Sequence, residues 1–276
     1  MQRLLVVGFG DIARRAAALL ERRFTLVPLS RRCGFDLDQP ATLDLAAADA
    51  LLHCAPPPAV GERDTRTLSL LSALERTDVP RRVVYLSTSG VYGDCGGVLI
   101  DEARPLNPQT PRARRRADAE AQLSRWASTH GVALIILRVP GVYAADRLPL
   151  ERLRERLPVL RAEDDVYTSH IHADDLAAIA ARALEADARP GVYNAADDTQ
   201  MRMGDWLDLV ADHAGLPRPP RIARAEIEAR LPATVASFMR ESRRLDNRRL
   251  KTVLGARLRY PTVQQGLGHE HALGTY

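Results

Sequence analysis

The stretch Leu4-Leu5-Val6-Val7-Gly8-Phe9-Gly10-Asp11-Ile12-Ala13 decides the fold, because it joins an apolar run to a glycine turn and then to a helix-like segment. Residues 4–7 indicate a buried strand, and residues 11–22 indicate the first helix. Gly8 permits a sharp turn, while Gly10 lets the backbone come close to a ligand. The N-terminus of the helix offers N–H groups and a favourable dipole to a phosphate. This order of strand, turn and helix is typical of a dinucleotide-binding site.

Strand-like and helix-like segments alternate up to about residue 196, which predicts a parallel sheet covered by helices. The expected fold class is α/β, a Rossmann-type doubly wound parallel sheet with a smaller, mostly helical C-terminal substrate region. In the second helix, Leu68, Leu71 and Leu74 should share the buried face. The predicted strands cover residues 4–7, 25–29, 50–54, 82–87, 132–137 and 191–194, and the predicted helices cover residues 11–22, 61–77, 111–130 and 173–184.

The pattern changes after about residue 196, where three prolines (Pro217, Pro219 and Pro220) interrupt short helical pieces. Those pieces are expected over residues 203–214, 226–230, 234–240 and 247–254. We expect the dinucleotide-binding domain to span residues 1–142, with residues 166–196 returning to it. The smaller substrate-binding region then comprises residues 143–165 and 197–276. The last residues, 266–276, should form a surface tail.

The amino-acid composition limits the kinds of partner that the chain is expected to bind. Its 276 residues are 46% hydrophobic, enough for a large core, and the net charge of +4 gives no indication of nucleic acid. No apolar run reaches the ~18 residues of a membrane span, so we expect no membrane partner. The cysteines Cys33, Cys54 and Cys95 are odd in number and lack metal-ligand spacing, which favours a reducing cytoplasm.

Further motifs follow the opening turn in a fixed order. They are Tyr85-Leu86-Ser87-Thr88-Ser89-Gly90-Val91-Tyr92-Gly93-Asp94, Leu137-Arg138-Val139-Pro140-Gly141-Val142-Tyr143, His170-Ile171-His172-Ala173-Asp174-Asp175-Leu176, Gly191-Val192-Tyr193-Asn194-Ala195 and Arg244-Leu245-Asp246-Asn247-Arg248-Arg249-Leu250. Together they resemble the extended short-chain dehydrogenase/reductases, the NAD-dependent epimerase/dehydratase group. The resemblance covers essentially the whole chain and is greatest with atypical members that lack the catalytic pair.

The acid–base machinery departs from that family. Its Tyr-x-x-x-Lys pair sits in the long helix and is followed four residues later by a glutamate, but no lysine precedes Lys251 in this chain. Alignment on Glu120 places Arg116 in the lysine position and Arg112 in the tyrosine position. Arg112 stays protonated at neutral pH and cannot replace the phenol as an acid–base group. Arg116 retains the capacity to hold a ribose hydroxyl or an anionic group.

The end of the second strand bears on the choice of cofactor. NAD binders place an acid there for the ribose hydroxyls, whereas NADP binders place arginine nearby for the 2′-phosphate. Here the sequence is Ser30-Arg31-Arg32, which favours NADP(H) over NAD(H), although arginine is abundant throughout the chain. The cofactor-binding set predicted from the turn and from the resemblance is Gly8, Phe9, Gly10, Asp11, Ile12, Ser30, Arg31, Arg32, Asp36, Leu37, Ala55, Pro56, Pro57, Ser87, Pro140 and Val142.

The catalytic set predicted from the resemblance is Thr88, Tyr92, Arg112 and Arg116. Thr88 occupies the family's Ser/Thr position, and its alternative role is a structural turn hydroxyl. Tyr92 and Tyr143 are phenols near the expected pocket, either able to supply the missing acid, and aromatic packing is the alternative for both.

Two other clusters have structural alternatives. His170 and His172 have the spacing of metal ligands, but the resemblance places them at a strand-to-helix junction where Asp174 and Asp175 would cap the helix. We therefore assign no metal. The arginine-rich segments at residues 112–116 and 240–249 are intermixed with acids and suit a solvated helix face. The second segment also suggests an anionic substrate group near Arg244 or Arg248.

Three functions remain open. The first is an NAD(P)-binding oxidoreductase or epimerase-like enzyme acting on a small carbonyl, alcohol or sugar-derived substrate. The second is a non-catalytic NADP(H) sensor or regulatory protein, and the third is an assembly protein that retains the fold. The helices over residues 61–77 and 111–130 would form the face that many relatives use for a homodimer.

Overall fold

A six-stranded parallel sheet lies at the centre of the computed structural model, which describes residues 1–40, 43 and 45–272. The strands are β1 Gln2–Val7, β2 Phe24–Leu29, β3 Ala50–His53, β4 Arg82–Thr88, β5 Leu99–Ile100, β6 Ala133–Val139, β7 Gly141–Tyr143, β8 Val159–Leu160, β9 Tyr167–Thr168, β10 His170–His172, β11 Gly191–Asn194, β12 Met201–Arg202, β13 Arg221–Ile222 and β14 Arg244–Leu245. The helices are α1 Asp11–Leu20, α2 Thr65–Leu74, α3 Pro111–His130, α4 Leu150–Arg154, α5 Ala173–Ala183, α6 Met203–His213, α7 Ile227–Arg230, α8 Ala233–Phe238, α9 Arg248–Thr252 and α10 Val263–Ala272.

The large sheet has the strand order β11-β6-β4-β3-β1-β2, and its neighbouring strands are parallel. Successive side chains of a strand point to opposite faces, so Leu4 and Val6 enter one apolar cluster while Leu5 and Val7 enter another. Helices α1 and α5 pack into the first cluster, and α2 and α3 into the second. Helices on both faces of a parallel sheet confirm the predicted doubly wound α/β class.

The prediction for the second helix is wrong in its first leucine. Leu68 is 51% exposed, whereas Leu70, Leu71 and Leu74 are buried. The helix begins at Thr65, where the Asp64 side chain accepts a hydrogen bond from the backbone N–H of Thr67. Successive residues of a helix are rotated by about 100°, so Leu70, Leu71 and Leu74 lie within one arc of about 100°, whereas Leu68 lies about 120° from Leu74 and faces solvent.

A third apolar cluster draws its members from residues 143–160 and 206–267. It includes Tyr143, Leu160, Trp206, Val263 and Leu267. The expectation of a surface tail from residue 266 is wrong at its start, because α10 spans Val263–Ala272 and Leu267 is buried. Residues 273–276 lie outside the described part of the chain. The division into a dinucleotide-binding domain and a substrate-binding region stays a proposal.

The carboxyl ends of β1, β3, β4 and β6 meet at one edge of the sheet, which is where parallel sheets bind ligands. The glycine turn follows β1, the prolines follow β3, and Thr88 ends β4. Within the described residues, no helix combines the length and the apolar character that crossing a membrane requires.

Candidate functional site

The glycine turn after β1 forms one wall of a cavity of about 340 Å³, here called the glycine-turn cavity. Gly8 has a φ of +85°, and a Cβ atom there would lie 2.5 Å from the backbone nitrogen of Ala55. The Gly8 N–H donates to the Leu29 carbonyl at 2.9 Å, which joins the turn to the end of β2. A Cβ on Gly10 would meet nothing within 4 Å, so this position opens into space. Phe9 lines the same cavity.

The end of β2 supplies the opposite wall. Ser30, Arg31 and Arg32 line the cavity, and both arginines are exposed. Arg66 also lines it and holds the Asp38 carboxylate at 2.6 and 2.8 Å, which lowers the pKa of Asp38. Arg31 and Arg32 therefore contribute positive charge to the lining of the glycine-turn cavity.

The remaining wall comes from two loops. Asp36, Leu37, Ala55 and Pro56 line the cavity, as expected for the adenosine side of a nucleotide site. The Asp36 carboxylate also accepts a hydrogen bond from the Asp38 N–H at 3.1 Å, so Asp36 stabilises a turn of the chain as well.

Three predicted cofactor residues, Asp11, Ile12 and Pro57, line neither this cavity nor the second one described below. Asp11 accepts from Arg15 at 3.0 Å and from Arg147 at 2.8 Å. Partial burial opposes ionisation of Asp11, but the bonds from Arg147 and Arg15 outweigh it and lower the pKa. Ile12 packs against the core, and Pro57 is buried.

A second cavity of about 610 Å³, here called the central cavity, lies at the ends of β4 and β6. Ser87, Thr88, Pro140 and Val142 all line it. The resemblance assigned Ser87, Pro140 and Val142 to the cofactor and Thr88 to catalysis. The structure thus divides most of the predicted residues between two cavities at the same edge of the sheet.

The two hydroxyls at the end of β4 differ in their bonding. The Ser87 hydroxyl is buried and donates to Glu120 Oε1 at 2.5 Å. The Thr88 hydroxyl accepts from the Gly90 N–H at 3.2 Å, which is the structural turn role. A hydroxyl that accepts one bond still has its own proton to donate. Thr88 can therefore give a hydrogen bond to a ligand oxygen in the central cavity.

Arg112 and Arg116 of α3 both line the central cavity. Arg116 donates to the Tyr85 hydroxyl at 3.1 Å and to the Leu86 carbonyl at 2.8 Å. Burial, more than the opposing effect of Arg116, raises the pKa of Tyr85 to about 12. The Arg112 guanidinium lies 4.8 Å from the centre of the Phe238 ring, and desolvation lowers its pKa.

Neither tyrosine considered as a replacement acid lines a described cavity. The buried Tyr92 hydroxyl donates to Asn194 at 2.8 Å and accepts from Arg138 at 2.9 Å, and burial raises the pKa of Tyr92 to about 12. Tyr143 is buried against Trp206 and His172. Their placement supports aromatic packing rather than proton transfer to a ligand.

The histidine cluster has a structural role. The His172 ring, rather than either aspartate, caps α5 by accepting from the Asp174 N–H, while Asp175 accepts from the N–H groups of Arg259 and Tyr260. Burial lowers the pKa of His170 to about 3, which keeps its ring neutral. Across the residues that the structure describes, no group of three or more histidine, cysteine or acidic side chains is arranged to hold a metal.

Sequence reasoning missed three charged residues of the central cavity: Arg147, Glu241 and Arg243. Arg243 donates to Glu241 at 2.6 Å and to the Gly93 carbonyl at 2.7 Å. The arginine-rich segment at 240–249 was the available signal, but the cavity takes Arg243 from it rather than Arg244 or Arg248. These residues follow no periodic pattern, so only the folded loops bring them together.

The doubly wound sheet and the glycine-turn cavity define a dinucleotide-binding protein of the Rossmann type. A sequence profile of the NAD dependent epimerase/dehydratase family matches residues 14–196. The chain is 31% identical, over 234 residues, to a 3-diazoavenalumate denitrifying reductase from Streptomyces sp., an alignment that covers 80% of this chain and 76% of that protein. The chain belongs to the NAD dependent epimerase/dehydratase family, as the motifs predicted.

Two solved structures share the fold over nearly the whole chain. A functionally unknown conserved protein from Silicibacter pomeroyi is 30% identical with a TM-score of 0.81, and the match covers 99% of each chain. RMD from Pseudomonas aeruginosa, solved in complex with NADPH, is 21% identical with a TM-score of 0.75, covering 97% of this chain and 96% of that one.

Proposed function

We propose that this protein is an NADP(H)-dependent reductase of a small organic substrate. The observation that carries the proposal is the pair of cavities at one edge of the sheet, one built on the glycine turn and one on Thr88 and α3. Open space beyond Gly10, where a Cβ would meet no atom, fits the close approach of a pyrophosphate. The family supplies the general class, and the reductase among its relatives favours reduction over epimerisation.

In this proposal, different residues of the two cavities bind different parts of the cofactor and the substrate. The backbone of Gly8, Phe9 and Gly10 holds the pyrophosphate, and Pro140 and Val142 line the space beside the nicotinamide. When bound, the cofactor supplies or accepts the hydride. Thr88 donates a hydrogen bond to the reacting oxygen of the substrate and stabilises negative charge that develops there, while Arg116 holds an anionic group of the substrate.

The specificity for NADP(H) rests on Arg31 and Arg32. Both are exposed at the glycine-turn cavity, and no acid occupies the end of β2. We expect Arg31→Ala to weaken NADPH binding by about tenfold and to leave NADH binding unchanged, since only NADPH carries the 2′-phosphate. Arg22→Ala, an exposed arginine outside the cavity, serves as the control. Equal losses for both cofactors would contradict this assignment.

The protein acts without the tyrosine–lysine pair of its family. Its only lysine is Lys251, and the residue four positions earlier is Asn247, so no Tyr-x-x-x-Lys sequence exists in the chain. We propose that the chain contributes orientation and charge stabilisation, and that water or the substrate carries the proton.

The test incubates the purified protein with NADPH and a panel of small carbonyl compounds. Consumption of NADPH is measured as the loss of absorbance of the reduced nicotinamide. Turnover in the wild-type protein that disappears in Gly10→Ala supports a reductase. Tight NADPH binding without turnover favours the second candidate, a non-catalytic NADP(H) sensor. The observation that favours a sensor is Arg112, a permanent cation, in the position of the catalytic phenol.

We also propose a homodimer that forms through the face of α2 and α3, and a cytoplasmic location. The face that the resemblance assigns to dimers supports the first, and the free thiols of Cys33, Cys54 and Cys95 support the second. If the dimer forms through this face, light scattering should give twice the chain mass for the wild-type protein and the mass of one chain for Leu68→Glu.

A further inference from the structure

The side chains that line the central cavity carry more positive than negative charge. Arg112, Arg116, Arg147 and Arg243 line it, against the single carboxylate of Glu241. Arg147 pairs with Asp11, and Arg243 pairs with Glu241. Within the described chain, neither Arg112 nor Arg116 has a carboxylate at ion-pair distance. The cavity therefore contains two guanidinium groups without a direct ion pair, and the carboxylate of Glu241 offsets the charge of Arg112 only at longer range.

Those two guanidinium groups lie on one face of α3. Residues four apart in a helix are neighbours, so Arg112 and Arg116 reach the cavity from adjacent turns. Arg116 is positioned by Tyr85 and Leu86, whereas Arg112 contacts the Phe238 ring. Two like charges in a partly desolvated wall repel each other, and an anion bound between them would relieve that repulsion.

The side chain of Glu241 gives a second, independent indication of a ligand in the central cavity. Its side chain is only 9% exposed, and Oε2 accepts from Arg243 at 2.6 Å. Oε1 is buried without a hydrogen-bond partner in the described structure. A buried carboxylate oxygen without a donor is costly, so a ligand in the cavity that donates a hydrogen bond would satisfy it.

Phe238 adds an apolar surface to the same cavity. Its side chain is 43% exposed at the end of α8, beside the cavity wall that Met203 also lines. One face of the ring meets Arg112 at 4.8 Å. An aromatic ring at a cavity wall, beside a guanidinium, favours a flat partner that can stack against it.

On these observations, and resting on the proposed function, we infer the substrate class: a small aromatic carboxylate that carries a hydroxyl or amino group in addition to the carbonyl group that is reduced. Arg112 and Arg116 hold the carboxylate, Phe238 contacts the ring, and Glu241 Oε1 accepts the hydrogen bond from the hydroxyl or amino group. Arg112 and Glu241 are thus specificity-determining residues at two ends of the substrate.

The test uses p-coumarate as the probe, titrated by calorimetry into the protein saturated with NADP⁺. Two matched compounds separate the two contacts: p-coumaramide lacks the charge, and cinnamate lacks the hydroxyl. We expect each to bind at least about tenfold more weakly than p-coumarate, since each leaves one buried polar contact unmade.

Two variants assign the contacts to residues. Arg112→Met should remove the preference for p-coumarate over p-coumaramide. Glu241→Met should reduce the preference for p-coumarate over cinnamate, because it removes the acceptor for the proton of the hydroxyl. Arg114→Met is the matched control, since Arg114 lies on the same helix but pairs with Glu62. Circular dichroism and thermal unfolding establish that each variant is folded.

The outcomes separate the inference from the proposed function. If NADP⁺ binds and the three compounds bind equally, or none binds, the substrate class is wrong while the cofactor proposal stands. If NADP⁺ does not bind, the proposed function is wrong, and the same three titrations into the protein alone still decide the inference. Loss of selectivity in Arg114→Met as large as in Arg112→Met would also overturn it.

Discussion

Asp197 is a buried carboxyl group that ties the stability of the protein to pH. It is 1% exposed, its Oδ1 accepts from the Thr199 N–H at 2.9 Å, and its Oδ2 is without a partner in the described structure. Burial is the main cause that raises the pKa of Asp197 from 3.8 to about 8. Between these values the folded state retains a proton that the unfolded state releases, so stability falls as the pH rises from about 4 to about 8.

We predict that Asp197→Asn reduces this pH dependence, since the amide stays neutral and keeps an oxygen for Thr199. Urea unfolding at acidic, neutral and mildly alkaline pH measures it, and the variant should gain most over the wild type at the alkaline end. Asp212→Asn, at an exposed ion pair with Arg218, is the control. An unchanged slope in Asp197→Asn would contradict the raised pKa.

The two glycines of the turn have separable roles. Gly8 has a positive φ, which is unfavourable for a residue with a side chain, and a Cβ atom there would clash with backbone atoms of Ala55. Gly8→Ala should therefore lower the unfolding free energy by more than about 1 kcal/mol. At Gly10 a side chain has space, so Gly10→Ala should keep stability within about 1 kcal/mol but weaken NADPH binding at least about tenfold. Thermal unfolding and calorimetry on both variants check this prediction. Full NADPH affinity in a folded Gly10→Ala protein would contradict the placement of the pyrophosphate.

At the scale of elements, a buried ion pair joins α3 to β6. Arg138 Nη2 lies 2.8 Å from Glu120 Oε2, with the side chains 7% and 5% exposed. Burial disfavours the charge on Arg138, but the hydrogen bonds that it donates to Glu120 and the negative charge of Glu120 outweigh this and raise the pKa of the arginine. Ser87 donates to the same glutamate, so the pair also fixes the end of β4 below the central cavity.

Removal of one partner leaves a buried charge without compensation. We predict that Arg138→Met lowers the unfolding free energy by about 3–5 kcal/mol, and that Arg138→Met combined with Glu120→Met recovers a large part of the loss. Denaturant unfolding of the single and double variants measures the coupling. Additive losses in the double variant would show that the pair does not act as a unit.

Elements with strong end signals could be predicted from the sequence. The bounds of α3 agree with the prediction, because Pro111 follows the capping residue Thr110 and Gly131 ends the helix with a positive φ. The start of α2 was misplaced because its cap, Asp64, lies inside the predicted range. Helix α10 was missed because its apolar residues are few and gain their burial only from the third cluster.

At the scale of the whole molecule, one part of the site could be predicted from the sequence and another part could not. Most of the glycine-turn cavity comes from short segments that directly follow strands, and these segments have recognisable composition. The central cavity also takes Arg147, Glu241 and Arg243, which come from distant loops brought together by folding. Its charge balance therefore became visible only in the structure, and it is this balance that indicates the class of substrate.

The most direct test of the account is a calorimetric titration of the purified protein with NADPH and with NADH. The account predicts micromolar or tighter binding of NADPH and at least about tenfold weaker binding of NADH, because Arg31 and Arg32 offer charge to the 2′-phosphate. Equal affinity for the two cofactors would contradict the NADP(H) assignment. Binding of neither would contradict the central claim that the glycine-turn cavity is a working dinucleotide site.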